Sequence, residues 1–409
     1  MPNLAAHRSH LRLALALIFV AFCASCGASD DRPSGSAETT SVNQTPQPTR
    51  DERPAAGDRE KARPAAGDRE NEPANTGPVE VETSVIATNL EVPWGFAFLP
   101  NGDALFTERD SGRLLRMDAS GNTEEVQTLP TRGYGEGGSL GLAVSPDYEE
   151  DGYVYAYYTT DQDNRVVRFR LGEEPEPVLT GIPFNTYHDG GRIAFGPDRM
   201  LYIATGDAGD PWTSQDRNTL GGKILRLTPE GGIPEDNPFP NSPVYSYGHR
   251  NVEGLAWDAE GRLYASEFGQ DAFDEVNLIR PGDNYGWPEF EGDGGEEASA
   301  AGYVNPVTTW STDDASPSGA EILVDGAIPQ WEGDLFVAAL RGERLWRLEL
   351  GPEGSVVGRE ELLRYEVGRI RNVVQAPDGS LWVTTSNLDG RGSPASQDDR
   401  VLRLGPAEE

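Results

Sequence analysis

Four histidines occur in the 409-residue sequence, and two of them, His188 and His249, lie in loops rich in Gly, Arg and Asn. His188 stands in Tyr187-His-Asp-Gly-Gly-Arg192, ahead of an apolar run that ends at Asp207. Imidazole titrates near neutrality, so a loop histidine can serve as a general base. A carboxylate beside it can fix its tautomer and raise its basicity. The alternative is a histidine satisfied within its loop, with Asp207 as a turn residue.

Other polar residues cluster in later loops. Arg250 and Asn251 are adjacent in Gly248-His-Arg-Asn251, where a planar guanidinium fork and an amide could reach one ligand. Carboxylates and turn carbonyls concentrate from Glu267 to Pro288, a stretch that includes Gly269, Gln270, Glu275 and Tyr285. Calcium takes such oxygen ligands from flexible loops, although the spacing is not that of an EF-hand. Arg369 and Arg371 are two residues apart, so on a strand they face the same way. With Arg341 as a third cation, they point to an anionic ligand; arginines facing solvent are the plain alternative.

These loops need a scaffold, and the N-terminus does not supply it. Residues 1–26 carry Arg8 and Arg12, an apolar run and Cys23-Ala-Ser-Cys26, the pattern of an export signal. Ala24-Ser-Cys26 is similar to a bacterial lipobox, so Cys26 is a lipidation candidate and the chain is expected outside the cytoplasm. It would be anchored to the membrane there, or else periplasmic or secreted. Residues 27–77 are Pro-, Gly-, Ser- and charge-rich and repeat RPAAGDRE at Arg53 and Arg63, as expected of a disordered tether. After cleavage at most one cysteine remains, which excludes an intrachain disulfide. The formal net charge of −34 argues against nucleic acid and anionic lipid surfaces as partners.

Residues 78–409 show no long helical period. Short apolar runs come in pairs around a Pro-Asp-Gly-like turn, from Trp94, Leu140, Arg192, Gly254, Gly333 and Asn372. Each pair can supply two central strands of a four-stranded sheet. Six such units predict an all-β, six-bladed β-propeller of four-stranded antiparallel sheets. Residues 208–222 and 284–320 read as long loops on one face, where a site is usually carried.

In that frame the chain resembles the soluble quinoprotein sugar dehydrogenases, which use pyrroloquinoline quinone. The resemblance runs over about residues 85 to 405. It is carried by Pro93-Trp-Gly95, Gly135-Glu-Gly-Gly-Ser-Leu-Gly141, His188 with Gly190-Gly-Arg192, and Leu220-Gly-Gly-Lys-Ile-Leu-Arg226. Ile233-Pro-Glu-Asp-Asn-Pro238, Gly248-His-Arg-Asn251, Asp274-Glu-Val-Asn277 and Asn284-Tyr-Gly-Trp-Pro288 continue it in order. The resemblance implies oxidation of an aldose sugar at C1 to its lactone. His188 would be the base, supported by Asp207, with Arg250 polarising the quinone. Asn251, Arg341, Arg369 and Arg371 would hold the cofactor. It further implies calcium on the carbonyls of Gly269 and Gln270, and a second calcium at Glu275 and the Tyr285 carbonyl.

Four positions depart from the family pattern. Gln270 replaces a common Pro, Tyr187 replaces the Asp of glucose-specific members, Glu136 replaces a common Gln, and Arg341 replaces a common Lys. These bear on substrate preference more than on cofactor use. Two other readings stand beside this one. A calcium-dependent lactonase-type propeller would give Arg369 and Arg371 no task, and a non-catalytic sugar- or protein-binding propeller would not need His188.

Overall fold

The computed structural model describes residues 80–407; the export signal, the linker and Cys26 lie outside the described residues. The paired apolar runs form strands, and these assemble into six antiparallel sheets of four strands each. The expected six-bladed propeller is therefore the fold. The third sheet shows how one copy closes. Ile193–Phe195 pairs with Leu201–Ala204. In the turn between them Asp198 accepts the Met200 amide at 3.1 Å and the Tyr202 hydroxyl at 3.0 Å. An Asp that bonds its own backbone two residues on is a turn device, which is why the motif recurs.

Two expectations about the repeats are corrected. The paired runs are not the central strands. In five sheets they are the first and second strands, and the first strands pack against those of neighbouring blades. The fifth copy is displaced: Leu335–Ala339 and Arg344–Leu350 are the second and third strands of their sheet. Its first strand, Pro317–Ile322, begins inside the stretch read as a loop, which also holds the helix Gly295–Ala301 and the strand Thr308–Ser311. Small residues disguise that first strand. They are small because the backbones crowd there: a side chain at Gly319 would run into Asn372 of the next blade.

The ring is closed by its two ends. Val81–Ala87 pairs with Val401–Pro406, so the last sheet combines the first and last described strands. This pairing ties the two ends of the described chain into one blade. Apolar side chains fill the space between neighbouring sheets. Trp94, Leu140, Tyr157, Ile193 and Ile203, from three blades, form one buried cluster.

One backbone feature prepares the site. In five of the six first strands the register slips by one residue: between Pro93 and Phe96, Ser139 and Leu142, Val252 and Gly254, Pro317 and Ala320, and Ile370 and Asn372. A bulge leaves one residue unpaired, bends the strand and re-aims a side chain. Glu253 and Arg371 are the unpaired residues of their bulges, and their side chains meet at 2.7 Å.

Candidate active site

His188 precedes the first strand of the third blade with φ 61°, a left-handed conformation that is unusual for a side-chain-bearing residue. Its backbone is fixed from both sides. Its amide donates to Glu136 Oε2 at 2.9 Å, and its carbonyl accepts the Ala208 amide at 3.1 Å. Gly206 lets that carbonyl approach, since a side chain there would collide with it. The ring Nδ1 meets Asp207 Oδ1 at 2.6 Å, and the Tyr187 ring stands edge-on at 4.7 Å.

Asp207 is buried and fully used. Its Oδ1 also accepts the Gly209 amide at 2.8 Å, and its Oδ2 accepts Trp287 Nε1 at 2.9 Å. Burial alone would raise its pKa. The hydrogen bonds from His188, Gly209 and Trp287 outweigh burial and hold it below the ordinary value. Asp207 is therefore an ionised partner, and its carboxylate favours a proton on Nδ1 of His188. That arrangement leaves Nε2 as the acceptor.

Arg250 lies beside this pair. Its guanidinium sits over the Trp287 ring at 5.4 Å and donates to the Phe268 carbonyl at 3.2 Å, while its buried Nε has no partner among the described residues. Desolvation lowers its pKa despite the surrounding carboxylates. Asn251 is turned inward. It accepts the Gly190 amide at 3.0 Å and donates to Glu253 at 3.2 Å, thereby tying the His188 loop to the fourth blade.

Glu253 is the hub of the next shell. Besides Asn251 it receives Arg371 Nη1 at 2.7 Å and the Ser318 hydroxyl at 2.8 Å, and its carbonyl receives Arg192 Nε at 2.7 Å. Arg369 donates to Asp389 at 2.8 Å, and Arg371 reaches the same carboxylate oxygen at 3.7 Å. Burial would raise the pKa of Asp389, but the two guanidinium groups hold it low. The two arginines thus converge as expected, and each already has an internal counter-charge. The exposed Arg341 follows the cavity-lining Leu340 and pairs with Asp313 at 2.5 Å.

A cavity of about 250 Å³ opens at this centre, and Trp94, Arg109, Glu136, Asp189, Arg371 and Arg391 are among its walls. Nε of Arg371 and Nη2 of Arg192 are buried without acceptors, and Arg192 lies over the Trp94 ring at 4.4 Å.

The proposed calcium positions fall in two neighbouring places. The loop after Phe268 is gathered by Glu291, whose Oε1 accepts the amides of Gln270, Asp271, Ala272 and Phe273 between 2.6 and 3.2 Å. Glu275 faces Glu267 across the strand pair Leu263–Glu267 and Phe273–Ile279. Burial, then the Glu267 charge, push the Glu275 pKa up to about 8. Tyr285 stacks on His249 at 4.8 Å, and His249 is buried between Ser246 at 2.8 Å and Glu267 at 2.9 Å. His249 thus acts as a packing partner, linked to Arg250 through Glu267, which also accepts the Arg250 amide. Among the described residues no three His, Cys, Asp or Glu side chains gather as a metal cage.

Residues 90–394 match the family described as glucose/sorbosone dehydrogenase. The chain belongs to that family. It is similar to a solved structure of the PQQ-bound aldose sugar dehydrogenase from Streptomyces coelicolor, with 50% identity and a TM-score of 0.74. That match covers 80% of this chain and 99% of the other. It is 30% identical to the aldose sugar dehydrogenase YliI of Escherichia coli, over 76% of this chain and 92% of that one. It is 28% identical to quinoprotein glucose dehydrogenase B of Acinetobacter calcoaceticus, over 76% of this chain and 86% of that one.

Several site residues escape the sequence reading. Glu253 has a faint signal, a lone acid in the otherwise apolar strand Val252–Trp257. Trp287 looks like any aromatic in a turn. Asp389 and Arg391 sit in a Gly-rich loop whose sequence resembles a surface loop.

Proposed function

We propose that this chain oxidises aldose sugars at C1 to lactones with pyrroloquinoline quinone as its cofactor. The observation that carries the reading is a cavity walled by three guanidinium groups, Arg109, Arg371 and Arg391, in which Arg371 has a buried N–H without a partner among the described residues. Arg250, with another such N–H, donates to the carbonyl of the wall residue Phe268, and the wall residue Glu136 holds the His188 amide of the His188–Asp207 pair. A tricarboxylate quinone fits such a donor set, because acceptor oxygens would satisfy N–H groups that are otherwise costly to bury. When bound, the quinone supplies the two-electron hydride acceptor. Arg371 and Arg369 would hold cofactor carboxylates, with Arg341 at the rim and Asn251 fixing the adjacent loop. Arg250 would stabilise charge developing on an oxygen of the ligand, an electrostatic role in a water-poor site.

His188 does the proton chemistry. With Nδ1 tied to Asp207, Nε2 is free to take the proton of the C1 hydroxyl as hydride leaves C1. Asp207 stabilises the imidazolium that results. Calcium belongs to the same reading. The Gly269 and Gln270 carbonyls accept no hydrogen bond among the described residues, and their loop is held firmly by Glu291. Backbone carbonyls suit a hard cation better than transition metals. Glu275 and the Tyr285 carbonyl would form the second site.

We also propose export. Residues 1–26 act as signal and Cys26 as lipid anchor, with residues 27–77 as a tether. Fatty-acid labelling lost in Cys26→Ala would support the anchor, and unchanged labelling would remove it.

The deciding assay adds pyrroloquinoline quinone and calcium to the purified protein and follows aldose-dependent reduction of a dye. Cofactor binding with turnover on at least one aldose is expected. Absence of both across a sugar panel would overturn the reading.

A further inference from the structure

The cavity mouth carries a contact between residues far apart in the chain. Glu136, between the strands Thr123–Thr128 and Ser139–Val144, accepts the His188 amide on Oε2 at 2.9 Å and Arg391 Nη1 on Oε1 at 2.7 Å. Its own amide donates to the Thr186 carbonyl at 3.0 Å, which ties it to the same loop a second time. Burial would raise the pKa of Glu136, but the His188 amide and Arg391 outweigh that and keep it ionised.

The His188 conformation makes this contact matter. At φ 61° the residue sits outside the broad allowed regions, and such a conformation persists only where its surroundings hold it. The charged acceptor on its amide is one of those restraints. Arg391 comes from the loop between Leu381–Thr385 and Val401–Pro406. That loop also carries Asp389, whose Oδ1 accepts the Arg391 amide at 2.9 Å and whose Oδ2 holds Arg369. One short segment therefore touches both the arginine pair and the carboxylate behind the base.

We infer that Glu136 is a positioning residue for His188, and that Arg391 latches it in place across the mouth. This rests on the proposed role of His188 as base. The two parts differ in weight. The Arg391 side chain is 61% exposed, so its ion pair is screened and contributes modestly. The Glu136–His188 contact is more sheltered and acts directly on the base.

Three variants separate the parts. Glu136→Ala removes both contacts. Glu136→Gln keeps an oxygen for the His188 amide but loses the charge. Arg391→Gln leaves Glu136 in place without its latch. A reacting group misplaced by a fraction of an ångström costs rate rather than ground-state binding, so kcat of Glu136→Ala should fall about 100-fold. Its KM should stay within about threefold, and cofactor titration should match the parent. Glu136→Gln should recover to within about tenfold of the parent, and Arg391→Gln should lose about three- to tenfold. Parental kcat in Glu136→Ala would overturn the inference, as would an equal loss in Glu136→Gln and Glu136→Ala.

A second readout needs no turnover. The ring resonances of His188 in the cofactor-free full chain are assigned by their loss in His188→Gln. They should shift and broaden in Glu136→Ala and return in Glu136→Gln, while those of His249 stay in place. Unmoved His188 resonances in Glu136→Ala would overturn the inference. If the parent oxidises no aldose, the proposed function falls and the resonances alone decide the role of Glu136.

Discussion

His188 and Asp207 meet at 2.6 Å across 19 residues of chain, and the carboxylate is closed off from solvent while the imidazole keeps an exposed edge. That asymmetry sets a direction. The buried partner favours one tautomer, and the imidazole keeps its other nitrogen free of the Asp207 contact. Asp207→Asn keeps the shape but can present an amide N–H to Nδ1, which would favour the wrong tautomer. We expect kcat to fall about 10²- to 10⁴-fold with cofactor affinity unchanged. Steady-state kinetics with a cofactor titration check this, and a fall below tenfold would show that Asp207 does not set the tautomer.

Glu253 and Arg371 form a buried ion pair at two bulges, with Ser318 and Asn251 on the same carboxylate. Removing one member of such a pair leaves an uncompensated charge. Glu253→Leu should therefore destabilise the propeller by about 3–5 kcal/mol, whereas Glu253→Gln should cost less because its one amide oxygen still accepts Arg371 and Ser318, although the Asn251 contact is lost. Denaturant unfolding of the cofactor-free protein measures both. Equal stabilities for the parent and Glu253→Leu would show that Arg371 finds another counter-charge, with Asp389 the nearest.

The fold was legible because its signal is local and repeated. A turn closed by its own Asp side chain, flanked by apolar runs, recurs in copy after copy. The fifth blade was misread where that signal fails, since crowding at the inner strands selects Ser, Pro and Gly in Pro317–Ile322 instead of apolar residues. His188, Asp207, Arg250 and Asn251 could be named from sequence because each lies at the start or end of a repeat. Glu253, Trp287, Asp389 and Arg391 could not. Asp389 pairs within its own blade, 20 residues from Arg369, and the others have partners on other blades, 118 residues away in the case of Glu253 and Arg371 and 255 in that of Glu136 and Arg391.

Lys223 is the one lysine among the described residues, and it is buried with its ammonium on three carbonyls: Thr213 at 2.7 Å, Ser214 at 3.1 Å and Gly221 at 2.6 Å. These belong to the loop that follows Asp207, whose Asp210 amide returns to the Asp207 carbonyl at 3.0 Å. Lys223→Met preserves much of the volume and strands three acceptors. The expected cost is about 3–5 kcal/mol, with faster amide exchange concentrated in residues 208–222. Exchange that rises evenly over the whole propeller would mean that the lysine supports the blade rather than the loop.

Asp189 gives a pH dependence of unusual sign for a carboxylate. It is buried beside His188, with Oδ1 on Asn164 Nδ2 at 2.9 Å and the Asn185 amide at 3.0 Å, and with no partner on Oδ2 among the described residues. Burial outweighs those hydrogen bonds and raises its pKa from 3.8 to about 6. The folded protein therefore binds more protons than the unfolded chain between pH 3.8 and about 6. Through that window this group makes stability fall as pH rises, and above it the full cost of a buried charge is present. Asp189→Asn keeps an acceptor for Asn164 and Asn185 and removes the charge. It should be more stable than the parent by about 1–3 kcal/mol at pH 7, with the difference closing below about pH 4. Denaturant unfolding of both proteins from pH 4 to pH 8 tests this. A difference that stays constant across the range would show that Asp189 titrates alike in the folded and unfolded chains.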